Sequence, residues 1–120
     1  GLDKHVFLKG FSNNLHDIYN HKNLLIMPSI SEGFPFAMLE AASYGLPVIA
    51  FDVGGISDYI RNDSNGILVS PDDYKGFINA VAQLCLNKKL ANSLGVTGRK
   101  IVEDKFTRQI MISHTINLIN

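Results

Sequence analysis

The chain lacks several features that would point its function elsewhere. It has one cysteine, Cys85, so no disulfide can close within it, and no Cys/His group stands at zinc-ligand spacing. A reducing compartment is the simple expectation. Charge is not in excess either way: 11 basic residues meet 11 acidic ones, and no basic run occurs. Neutralising nucleic-acid phosphates takes a positive patch, so nucleic-acid binding is not expected. No run approaches the roughly 20 apolar residues that span a bilayer, and the opening GLDKHVFLKG has neither the apolar region of a signal peptide nor the charge pattern of a transit peptide. His5, His16, His21 and His114 are scattered, with no carboxylate or serine at a telling spacing, and each reads as a surface or helix-face residue.

What is present is a compact alternation of elements. With 120 residues and 46% hydrophobic content the chain is long enough to bury one core, so a single domain over 1–120 is expected. Short apolar runs at Val6-Phe7-Leu8, Leu24–Met27, Pro47–Phe51 and Ile67–Val69 read as strands, the first of them buried on both faces. Helical segments lie between them, and strand-helix alternation of this kind implies right-handed crossovers and an open parallel α/β sheet. Asn13 or Asn14 caps a short helix bearing Leu15, Ile18 and Tyr19, and Ser57 is expected to cap another over 58–61. Pro71-Asp72-Asp73 stops the fourth strand and caps a helix whose core stripe would be Phe77, Val81, Leu84 and Cys85. From Lys88 the pattern is helical to the end, with breaks expected at Gly95 and Gly98 and a cap at Thr107 for a last helix sharing Ile112, Ile116 and Ile119 on one face. Because the chain begins almost directly on a strand candidate, it is expected to be part of a larger polypeptide.

The stretch from Pro28 to Ala50, PSISEGFPFAMLEAASYGLPVIA, carries the chemistry. It turns through Glu32-Gly33-Phe34, Pro35 opens a helix, and Gly45 and Pro47 close it, the usual proline-first, glycine-last punctuation. The first-turn amides around Phe36, Ala37 and Met38 have no intrahelical acceptor and carry the positive end of the helix dipole, a place for a phosphate or diphosphate. Glu32 and Glu40 flank that helix end. Carboxylates beside a phosphate would repel it, so hydroxyl groups are their better partners. A sugar near the turn, a diphosphate at the helix end and a ribose near Glu40 together describe a nucleotide-sugar.

The same residues carry a family resemblance. Glu32-x7-Glu40 inside PSxxEGFPFxxLEAxxxGxPVIA, followed by Asp52-Val53-Gly54-Gly55, closely resembles the donor-binding lobe of the retaining, GT-B-fold glycosyltransferases of family 4. Val6–Gly10, Asn65–Val69 and Phe106-Thr107 extend the likeness over nearly the whole chain. The resemblance implies a Rossmann-like sheet, the C-terminal lobe of a GT-B fold. It implies sugar transfer, with retention, from a UDP-, GDP- or ADP-linked donor to a saccharide or lipid-linked acceptor held mainly by an N-terminal lobe. Glu40 would then bind the ribose hydroxyls and Glu32 would lie against the transferred sugar in a catalytic, electrostatic role. Gly33, Phe34, Pro35, Phe36 and Ala37 would form the donor-binding turn. No Asp-x-Asp triplet occurs, the device that holds a metal on the donor diphosphate in the other large glycosyltransferase fold, so no cofactor and no metal are expected. The family draws further positive charge for the leaving diphosphate from an Arg and a Lys upstream of Val6.

The blander readings stand beside these. Glu40 alone would be a solvent-facing helix residue, Phe34 and Phe36 would be packing residues, and Gly54-Gly55 would serve a tight turn as readily as a ligand. Rival functions are a non-catalytic GT-B-like binding or interaction module and one lobe of a sugar-nucleotide epimerase. A cytoplasmic location is expected, compatible with peripheral membrane contact of the parent protein on that face.

Overall fold

The computed structural model describes residues 1–107. Three parallel strands, β1 (Leu25–Met27), β2 (Val48–Phe51) and β3 (Gly66–Val69), form a sheet in the order β1-β2-β3. The register places Ile26 beside Ile49 and Ile49 beside Ile67. Helices flank this sheet as the alternation of elements predicts: α1 (Leu15–Tyr19), α2 (Phe36–Ser43), α3 (Tyr74–Leu86) and α4 (Lys88–Ile101).

Central strand β2 is buried at every residue, and its alternating side chains serve two layers. Val48 and Ala50 pack with Met38, Leu39 and Ala42 of α2, while Ile49 and Phe51 pack with Phe77, Ala80 and Leu84 of α3 and Leu94 of α4. A strand covered on both faces needs a continuous apolar run, which is how VIAF reads. Side-chain caps start three of the helices. Asn14 accepts from the His16 amide at 3.1 Å, Asp73 from Gly76 at 2.8 Å and Asn87 from Leu90 at 3.0 Å.

Several expectations need correction. Val6-Phe7-Leu8 is not a strand; it lies outside the sheet, with Leu8 97% exposed. Its apolar, β-prone residues find no neighbouring strand, and propensity alone does not make one. The helix expected at 58–61 is instead a 3₁₀ turn over Gly54–Asp58. Cys85 is exposed rather than part of the α3 stripe, whose buried members are Phe77, Ala80 and Leu84. Pro35 is the N-cap of α2, one residue before its first turn.

Helix α4 runs through Gly95 and Gly98 without a break. A Cβ on Gly95 would meet the Gly45 carbonyl oxygen, and one on Gly98 would come within 2.8 Å of the Tyr59 hydroxyl. These glycines are there because α4 presses against the end of α2 and against Tyr59. Thr107 does not cap a new helix. It is itself helical, and its hydroxyl donates back to the carbonyls of Val102 and Glu103 behind a π-helical turn, Val102–Phe106. The stripe of Ile112, Ile116 and Ile119 lies outside the described residues.

Candidate donor-binding turn

The segment between β1 and α2 emerges at the carboxyl end of the sheet, where open α/β folds expose their loops to ligands. It is fixed in place by the loop that follows β2. The Gly55 amide donates to the Gly33 carbonyl at 2.6 Å, and Gly54 lies so close that a Cβ there would collide with the Glu32 carbonyl. Gly54 is also left-handed, with φ of 56°. A Cβ on Gly55 would reach 3.0 Å from the Gly33 oxygen and 3.2 Å from the Phe34 ring. The two readings left open for Gly54-Gly55 thus resolve into a third. The pair approaches the Glu32-Gly33 backbone and clamps the turn.

Phe34 anchors the same turn from below. Its ring stacks on Phe106 with centroids 5.9 Å apart and meets Phe36 edge-on at 6.1 Å, and it packs against the α2 side of the core. Its side chain is therefore spent on packing, which leaves only its backbone for a ligand. Phe36 is 40% exposed and Ala37 is exposed, so the first turn of α2 faces solvent. The amides of Phe36 and Ala37 have no intrahelical acceptor, while that of Met38 already donates to the Pro35 carbonyl at 3.2 Å. Pro35 contributes no N–H.

Both glutamates are partly buried. Glu32 precedes the clamp, and Glu40 lies on α2 about one turn beyond the exposed amides. The Tyr19 hydroxyl of α1 donates to Glu40 Oε2 at 3.1 Å and stands 3.5 Å from the Ala37 carbonyl. Burial first, and then the neighbouring Glu40 carboxylate, push the Tyr19 phenol well above its ordinary range, so it remains a donor. Nothing in the spacing of residues 19 and 40 announces this contact.

Neither of two cavities in the fold contains either glutamate. One of about 550 Å³ lies under Lys22, Leu24, Pro47, Leu84 and Lys88, where β1 and β2 begin. Another, of about 350 Å³, is lined by Asp52, Asn62, Ser70 and Pro71.

The profile of the family "Glycosyl transferases group 1" matches residues 1–101. The chain belongs to the group 1 glycosyl transferases. Among curated members, the capsular polysaccharide biosynthesis glycosyltransferase CapM of Staphylococcus aureus is 31% identical over 115 residues, covering 96% of this chain and 30% of CapM. Among solved structures, a mutant of S. aureus TarM in complex with fondaparinux, alpha-GlcNAc-glycerol and UDP superposes with a TM-score of 0.82 at 30% identity, over 99% of this chain and 24% of TarM. The C-terminal domain of the group 1 family protein LpcC of Francisella tularensis superposes at 0.73 with 27% identity, over 84% of this chain and 52% of that one.

This group 1 domain therefore spans about a quarter to a third of the length of TarM and CapM. Its α/β sheet is that of GT-B glycosyltransferase structures. Among the described residues no helix is long and apolar enough to cross a membrane.

Proposed function

We propose that residues 1–120 form the nucleotide-sugar-binding lobe of a retaining glycosyltransferase, with the donor lying along the turn from Glu32 to Glu40. The observation that carries this reading is the clamp. Gly54 and Gly55 hold the Glu32-Gly33 backbone in the segment that leads into the open end of α2, and Glu40 follows about one turn along that helix. The UDP present in the TarM complex supports it.

In this reading the exposed amides of Phe36 and Ala37 receive the diphosphate, and Glu40 accepts hydrogen bonds from the ribose hydroxyls. The backbone of Gly33 and Phe34 borders the transferred sugar, and Pro35 shapes the turn without donating. Glu32 stands beside the anomeric carbon, where its negative charge stabilises the oxocarbenium-like transition state as the bond to the diphosphate breaks. The donor nucleotide is UDP, GDP or ADP, and the acceptor is a saccharide or lipid-linked hydroxyl. The acceptor lobe would lie in the part of the enzyme outside this chain, and any membrane contact of the parent protein belongs with that lipid-linked acceptor. No metal takes part, and EDTA should leave binding unchanged.

A helix end alone contributes about 0.3 to 2 kcal/mol to holding an anion, small against the ~8 kcal/mol or more by which enzymes commonly lower barriers. The chain alone should accordingly bind donor weakly and turn over little. Calorimetric or ligand-observed NMR titration with UDP, GDP and ADP, on the wild type and on Glu40→Ala, tests the reading. Binding of one nucleotide that is lost in the variant is expected; binding indifferent to Glu40 would overturn it.

A further inference from the structure

Helix α1 reaches α2 through the hydroxyl of Tyr19. Tyr19 is 7% exposed and packs with Ala41 and Leu46, its ring 5.8 Å from that of Tyr44. A ring held on several sides cannot swing, so its hydroxyl occupies one position in the fold. From there it is 3.1 Å from Glu40 Oε2 and 3.5 Å from the Ala37 carbonyl. The hydroxyl has one proton, and a carboxylate draws it more strongly than a neutral carbonyl at the limit of hydrogen-bond distance.

We propose that Tyr19 is a positioning residue for Glu40, fixing Oε2 so that the carboxylate is presented to two neighbouring ribose hydroxyls and discriminates ribose from deoxyribose. The inference rests on the reading that Glu40 receives the ribose. A carboxylate offers about four lone-pair directions on its two oxygens. Tyr19 takes one of those on Oε2, and the contact fixes both the plane and the reach of the group. Removing the phenol takes away one contact that orders the Glu side chain, and the ribose bonds must then supply that ordering. Tyr19 touches no part of the donor in this arrangement; it acts only through Glu40.

The test uses the full-length protein and whichever of UDP, GDP and ADP it binds, together with the 2′,3′-dideoxy counterpart of that nucleotide. Dissociation constants for both ligands are measured by calorimetry in wild type, Tyr19→Phe and Glu40→Gln, with melting temperatures alongside. Wild type should prefer the ribonucleotide by more than tenfold. Tyr19→Phe keeps the ring in its cluster and should lower that preference about fivefold. Its affinity for the dideoxynucleotide and its melting temperature should stay near wild type. A preference unchanged in Tyr19→Phe, or equal weakening of both ligands, would overturn the positioning role while leaving Glu40 as the ribose residue. A wild type without preference would instead remove Glu40 from the ribose, and Tyr19 with it.

Discussion

The two faces of the sheet are built differently. On the α3 face, the buried cluster is apolar: Ile49, Phe51, Ile67, Val69, Phe77, Ala80 and Leu84, joined by Leu94 of α4. On the α2 face, apolar packing is interleaved with polar groups held at specific points. Tyr19 meets Glu40, and buried Asn65 accepts from the Arg61 amide at 2.6 Å and donates to the Tyr59 carbonyl at 2.9 Å. The Tyr59 hydroxyl is buried with no partner among the described residues. The contrast teaches a division of labour in which one face stabilises the sheet and the other trades stability for a shaped turn.

Substitutions should separate the two faces. The largest effect on folding is expected from Leu84→Ala, which empties a site 2% exposed and should cost about 2–5 kcal/mol in chemical denaturation. Nucleotide affinity measured well below the unfolding transition should not change. An affinity loss larger than the stability loss explains would break the comparison.

Next in size is Gly54→Ala, whose new Cβ would strike the Glu32 carbonyl. It should weaken nucleotide binding more than tenfold through displacement of the turn. Gly45→Ala is the control: equally left-handed, with φ of 74°, but with nothing within 4 Å of a new Cβ. It should cost only the conformational strain of about 1–2 kcal/mol, seen in thermal melts, and leave binding intact.

The smallest effect, and the one of opposite sign, concerns Tyr59. An unpaired buried hydroxyl costs its desolvation, so Tyr59→Phe should be neutral or stabilising by up to about 1 kcal/mol at pH 7. Burial pushes the phenol from 10.0 up to about 12, against a smaller downward pull from the neighbouring Asn65 side chain, which lies outside hydrogen-bond geometry. Folding therefore holds it neutral where the unfolded chain would ionise it. The corresponding stability is fully present below pH 10 and is lost as pH rises toward 12. Denaturation midpoints across that window should fall less steeply in Tyr59→Phe, with Tyr19 contributing a remaining slope of the same sign. A variant less stable at pH 7 would mean that the hydroxyl has a partner after all.

Much of the backbone around the candidate site was legible because its signals are local. Pro35 and Gly45 bracket α2 within two residues of where it starts and ends, Asp73 caps α3, and Glu32 and Glu40 stand in a string specific enough to place the chain in its family. Signals that depend on a partner misled. Val6-Phe7-Leu8 has strand composition without a strand beside it, and Cys85 sits near the apolar stripe of α3 but outside its buried arc. Gly95 and Gly98 look like breaks until α4 is seen against Gly45 and Tyr59.

Local chemistry in the sequence thus determined the parallel α/β order, the start and stop of α2, and the two carboxylates beside a helix N-terminus. Each of those follows from backbone rules acting over a few residues. Tertiary structure alone decided that Gly54 and Gly55 clamp the Glu32 turn and that Tyr19 holds Glu40. These contacts join residues about 20 positions apart, and only the packing of helices on the sheet sets distances over that range.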